Sequence, residues 1–77
     1  MDQQDEQENI FVSAAIGAKI RNAREASGLT QSELAARVNA TQAQIDHYEH
    51  GGLDMPIARL FDIANVLEVA AADLLAF

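Results

Sequence analysis

The stretch TQAQIDHYEH, residues 41–50, holds both histidines of this chain, with two carboxylates and two glutamines among them. His47 and His50 stand at i and i+3, with Asp46 and Glu49 beside them. On a helix that spacing brings both imidazoles to one face, where a metal site is imaginable. A zinc site needs more ligands than this pair supplies, and the chain has no cysteine and no third histidine. Metal and cofactor are therefore both expected to be none, with the histidines facing solvent or phosphate. Catalysis lacks parts as well. Ser13, Ser27 and Ser32 have no histidine–carboxylate arrangement suggested by the placement of the helices, and no glycine-rich phosphate loop follows a strand. The expectation is that this is not an enzyme. The amides of Gln42 and Gln44 remain, each a donor and an acceptor that works without charge.

Those residues sit in an acidic chain. Its 77 residues carry a net charge of −7. Asp2, Asp5, Glu6 and Glu8 stand in the first 13 residues, while Lys19, Arg21, Arg24, Arg37 and Arg59 all come later. Polyanions are repelled on average, so any nucleic-acid site must come from local arrangement. The length allows one small domain, burying roughly 60% of its unfolded surface. The apolar share of 49% is enough for a core. Cysteine is absent, which fits the cytoplasm. No apolar run approaches the ~20 residues of a membrane span, and the acidic start is unlike a signal peptide.

The elements that position the stretch can be read from periodicity and caps. Residues 1–13 read as an acidic, disordered tail, and 14–77 as the domain. Ile10-Phe11-Val12 is a short apolar patch, expected on the domain edge, with a dimer contact as the alternative. Ser13 is the expected N-cap of a helix over about 14–26, with Ile16, Ile20 and Ala23 as its stripe and Gly28 ending it. Thr30-Gln31-Ser32-Glu33 is a capping box that opens a helix over 31–38, with Leu34, Ala35 and Val38 inward. Asn39 tolerates the turn that follows. Thr41 is the expected cap of a helix over 42–49, with Ile45 and Tyr48 inward, and Gly51-Gly52 stops it. Pro56 fits the first turn of a helix over 56–67, with Ile57, Leu60, Phe61, Ala64 and Leu67 on one side. A last short helix is expected over 71–76. No segment alternates with period two, so the fold class is all-α, with five short helices.

The second and third helices, with their short turn, form a helix-turn-helix. With IGAKIRNARE, GLTQSELAARV, TQAQIDHYEHG and RLFDIANVLEV in this order, the chain resembles the Xre-like, lambdoid phage repressor/Cro type of helix-turn-helix protein over about residues 14–76. The resemblance implies a five-helix, lambda-repressor-like domain that binds double-stranded DNA and regulates transcription, with the third helix in the major groove. It implies base contacts from Gln42, Ala43, Gln44 and His47, and backbone contacts from Gln31, Thr41 and His50. It implies a structural pair, Arg24 with Glu49. Glutamine suits the implied role, because its amide matches adenine N6 and N7. Phosphate neutralisation is expected from Lys19, Arg21 and Arg37, with Arg59 in reserve.

The loop behind the third helix departs from that pattern. The family's loop is usually basic, whereas this one reads Gly52-Leu53-Asp54-Met55. A homodimer would double the phosphate contacts on a palindromic or repeated site, with half-sites about 34 Å apart. Its surface is expected at the C-terminus, from Leu74, Leu75 and Phe77. The competing expectation is an antitoxin-like protein-interaction module that keeps the fold but binds DNA weakly or not at all. Steep salt dependence of duplex binding separates the two.

Overall fold

The computed structural model describes the backbone of residues 3–52 and 54–75, and side chains from Ala14 onward. Five helices follow in order: α1 Gln3–Ala26, α2 Gln31–Arg37, α3 Gln42–Glu49, α4 Ile57–Leu67 and α5 Ala71–Leu75. The chain is all-α among the described residues. α3 lies against both α2 and α1, and α5 closes on α4 and α1.

Four of the five helices each bury one side chain completely. Ile20 of α1, Leu34 of α2, Ile45 of α3 and Ile63 of α4 are completely buried. Ala35, Val38, Tyr48, Leu60, Ala64, Leu67 and Leu74 fill the space between them. Each buried aliphatic side chain stabilises the fold by roughly 1.5–3 kcal/mol, which is how helices of seven and eight residues persist.

Two of the helix starts are chemically alike. Thr30 caps α2: its hydroxyl accepts from the Glu33 amide, and the Glu33 carboxylate accepts from the Thr30 amide at 2.8 Å. Those bonds, the backbone one first, hold the Glu33 carboxyl below the usual carboxylate range. Thr41 caps α3 in the same reciprocal way, with Gln44 in place of the glutamate. The turn between α2 and α3 passes through Asn39 at φ 59°, as its residue type suggests.

Several expectations are corrected. α1 runs from Gln3, so Ser13 lies inside it and does not cap it. The acidic stretch 1–13 and the patch Ile10-Phe11-Val12 fall on residues whose side chains lie outside the described ones. Pro56 is the N-cap of α4 rather than its first helical residue. Ile57 and Phe61 are exposed, at 64% and 51%, not inward. The buried side of α4 is Leu60, Ile63, Ala64 and Leu67, spaced i, i+3, i+4, i+7. Phe61 stands about 100° around the helix from Leu60, at the edge of that stripe. Leu74 packs in the core at 2% exposure, so it cannot line a dimer surface. Leu75 is exposed, and Phe77 lies outside the described residues.

Candidate nucleic-acid interface

α3 presents Gln42, Ala43, Gln44, Asp46 and His47 to solvent while Ile45, Tyr48 and Glu49 face inward. Its position is fixed first by close approach. Gly17 of α1 is buried against the C-terminal end of α3, where an added Cβ would stand 2.5 Å from the Tyr48 carbonyl oxygen. Only a glycine lets the two backbones meet this closely.

A buried ion pair comes next. Arg24 of α1 donates from Nε to Glu49 Oε2 at 2.6 Å and from the terminal Nη2 to Oε1 at 3.1 Å. Its third donor, Nη1, meets the Leu29 carbonyl at 2.8 Å. The side chains are 11% and 2% exposed. Bidentate geometry and satisfied donors make a buried charge pair tolerable. The Glu49 hydrogen bond raises the Arg24 pKa further, against the opposing effect of burial. Arg24 and Glu49 thus join α1 to the end of α3, with the loop at Leu29 drawn in.

Gln31 links that pair to the outward face. Its amide donates to Glu49 Oε1 and to Asp46 Oδ1, each at 3.1 Å. Its carbonyl oxygen meets Gln42 Nε2 at 3.5 Å, and the Ser32 hydroxyl donates to Gln42 Oε1 at 3.2 Å. An amide has two N–H groups and two lone pairs. Gln42 therefore uses one of each to hold still and keeps one of each free. Gln44 differs: its Oε1 accepts from the Thr41 amide at 2.9 Å, so its carbonyl serves the cap and its N–H groups remain. The sequence signal for that role was present in the Thr41-x-x-Gln44 spacing.

The histidines have separate partners. His50 Nδ1 lies 2.8 Å from the Asp46 carbonyl oxygen. A carbonyl only accepts, so Nδ1 carries the hydrogen, and neutral His50 offers Nε2 as an acceptor. His47 turns instead to the loop, with Nε2 3.0 Å from Asp54 Oδ1. It lines a shallow cavity of about 350 Å³ with Ala43, Gln44, Tyr48, Asp54, Pro56 and Arg59. Arg59 donates to the Tyr48 hydroxyl at 3.2 Å.

The structure thus brings Gln31, Gln42, Arg24 and Glu49 into one network, and Gln44 and His47 to one cavity. It does not bring Lys19, Arg21 or Arg37, the expected phosphate cations, to that network. Arg21 pairs along α1 with Glu25 at 3.4 Å, both exposed. Lys19 is half-buried on α1, and Arg37 is exposed in the last turn of α2. Sequence reasoning missed Ser32, Asp54 and Gly17 as participants. Nothing in their residue types signals a partner elsewhere in the chain.

The Helix-turn-helix family (HTH_3) matches residues 20–74. A protein named as an uncharacterized transcriptional regulator in the ATPase CF(0) region of Rhodospirillum rubrum is similar to this chain. It is 40% identical over 58 residues, 75% of this chain and 54% of that protein. The chain therefore spans about half the length of that curated relative. The crystal structure of the clp gene regulator ClgR from Corynebacterium glutamicum is similar with a TM-score of 0.79 at 26% identity, covering 83% of this chain and 68% of that one. That of SinR, the master regulator for biofilm formation in complex with DNA, has a TM-score of 0.71 at 30% identity, covering 78% and 97%.

Proposed function

The chain belongs to the helix-turn-helix family, and from that premise we propose that it is a sequence-specific, double-stranded DNA-binding transcriptional regulator with α3 in the major groove. One observation carries the reading. Gln42 is exposed on the first turn of α3 and held by Ser32 and Gln31, yet keeps a free N–H and a free lone pair. That is the pair adenine requires, already oriented before contact. Gln44 supplies N–H donors beside it, Ala43 a methyl for thymine, and His47 a further contact. Gln31, Thr41, His50, Lys19, Arg21 and Arg37 serve the backbone. His50 commits Nδ1 to the Asp46 carbonyl and so directs Nε2 outward, toward the phosphate side.

We also propose a cytoplasmic homodimer. The dimer surface uses α5 through Leu75, and the exposed Ile57 and Phe61 of the adjoining α4 extend the available apolar area. A monomer at high concentration in sedimentation equilibrium would refute this part. The experiment for DNA is selection of bound fragments from a random duplex pool at two salt concentrations. Enrichment of an adenine-containing site, with log affinity falling by roughly 0.9 per phosphate neutralised against log salt, supports the reading. No enrichment at either salt overturns it in favour of the protein-interaction module.

A further inference from the structure

His47 is the outward residue of α3 that the loop behind the helix holds. Asp54 Oδ1 lies 3.0 Å from its Nε2. A carboxylate accepts, so Nε2 carries the hydrogen. The ring also lies on the backbone of Gly52, where a Cβ would stand 2.3 Å from Cδ2 and 2.4 Å from Nε2. Gly52, unlike Gly51 at φ 92°, is outside the left-handed region. What the imidazole uses at Gly52 is the missing side chain, not backbone freedom. One loop residue therefore holds the ring by charge and another by leaving room.

We propose that Asp54 and Gly52 form an intramolecular latch on His47, in which the Asp54 carboxylate occupies the place of a DNA phosphate and must be displaced when DNA binds. The proposal rests on the DNA-binding reading. The two side chains are 58% and 78% exposed, and even a charged pair so open to water contributes at most about 1 kcal/mol, so an incoming phosphate can replace the contact. Phosphate offers the same N–H an equivalent anionic acceptor. The charged and titratable groups facing His47 are Asp54 from the loop, Arg59 from α4 and Tyr48 from α3 itself, all lining one cavity. When Asp54 leaves, the remaining charge there is the Arg59 cation, which suits a phosphate. The acidic loop then has a function: it masks the donor on α3 until DNA competes for it.

Two variants break the latch by different routes. Asp54→Asn removes the charge. Gly52→Ala displaces the imidazole while the net charge stays the same. Each is expected to bind the selected duplex about three- to fivefold more tightly than the unaltered chain, the range that corresponds to up to about 1 kcal/mol. In a His47→Ala background, the gain from Asp54→Asn should vanish. Weaker binding by Asp54→Asn or Gly52→Ala would mean that the loop presents His47 to DNA rather than masking it. A gain from Asp54→Asn that survives in His47→Ala would reduce the effect to general charge. Duplex binding by the unaltered chain with affinities unmoved in both variants overturns the latch alone. Binding by none of these proteins overturns the DNA-binding reading and the latch with it.

Discussion

α3 is held by two side-chain pairs of opposite character, one a buried ion pair and one an exposed histidine–carboxylate hydrogen bond. On its inward side Glu49 meets Arg24 with 2% and 11% exposure, in bidentate contact, with a third bond to Leu29. On its outward side His47 meets Asp54 with 58% and 78% exposure, through a single contact. Separations alone would rank them close, at 2.6 and 3.0 Å. Burial separates them. A buried pair is strongly coupled because neither charge has water to fall back on, whereas a surface pair exchanges freely with solvent. The inward pair therefore sets where α3 is, and the outward pair sets which of its groups are available.

The hardest way to break that contrast is Glu49→Ala. It leaves the Arg24 guanidinium enclosed without its anion and removes an acceptor from Gln31. A loss of about 3–5 kcal/mol is expected in urea unfolding. A loss under about 1 kcal/mol would mean that the inward pair behaves like the outward one. Gly17→Ala tests the same side without touching charge. The added methyl meets the Tyr48 and Glu49 carbonyls, and overpacking there should cost about 1–3 kcal/mol, read as a lowered unfolding midpoint. Thr41→Ala, which removes the hydroxyl cap of α3, is expected to cost about 1 kcal/mol.

The two capping boxes give a comparison in pH. Glu33 closes the box of α2, and its folded pKa is lowered. A lowered carboxylate pKa means a contribution to stability that is present above the unfolded value and lost as pH falls through the folded one. Gln44 closes the box of α3 and has no charge to lose. On acidification, amide exchange at Thr30 and Glu33 should quicken relative to neutral pH after correction for intrinsic rates, while Thr41 and Gln44 stay protected. Equal loosening of both caps would contradict the assignment.

Much of this was legible in the sequence, and the reason is locality. Thr30-x-x-Glu33, Asn39 and the Leu34/Ala35/Val38 stripe each act within a few residues, so their chemistry is visible in a short window. The Arg24–Glu49 pair spans 25 positions. It was reached only through family resemblance, because neither residue type announces a distant partner. The buried side of α4 is not legible in the sequence, because Ile57 and Phe61 are apolar and lie next to the buried stripe. What decides between them is the position of Ile63 against the other helices, a tertiary fact. Leu74 gives the same difficulty: a terminal leucine has the same sequence signature whether it faces a partner or its own core. At the interface, Gln42 was legible as chemistry but not as geometry. Its hold by Ser32 depends on how α2 crosses α3.

The smallest expected effect sharpens the contrast most. Asp54→Asn should change unfolding free energy by less than about 1 kcal/mol, because both partners of the pair keep their hydration when it opens. The same substitution is expected to alter duplex binding severalfold, while Glu49→Ala alters stability and loses binding through unfolding. If Asp54→Asn instead lowered the unfolding midpoint by as much as Glu49→Ala, the loop would be part of what positions α3. The acidic residues behind the helix would then be structural on both of its sides. A near-silent stability change, with DNA affinity moved, leaves the division intact: buried charge fixes the helix, and exposed charge decides how freely it can be used.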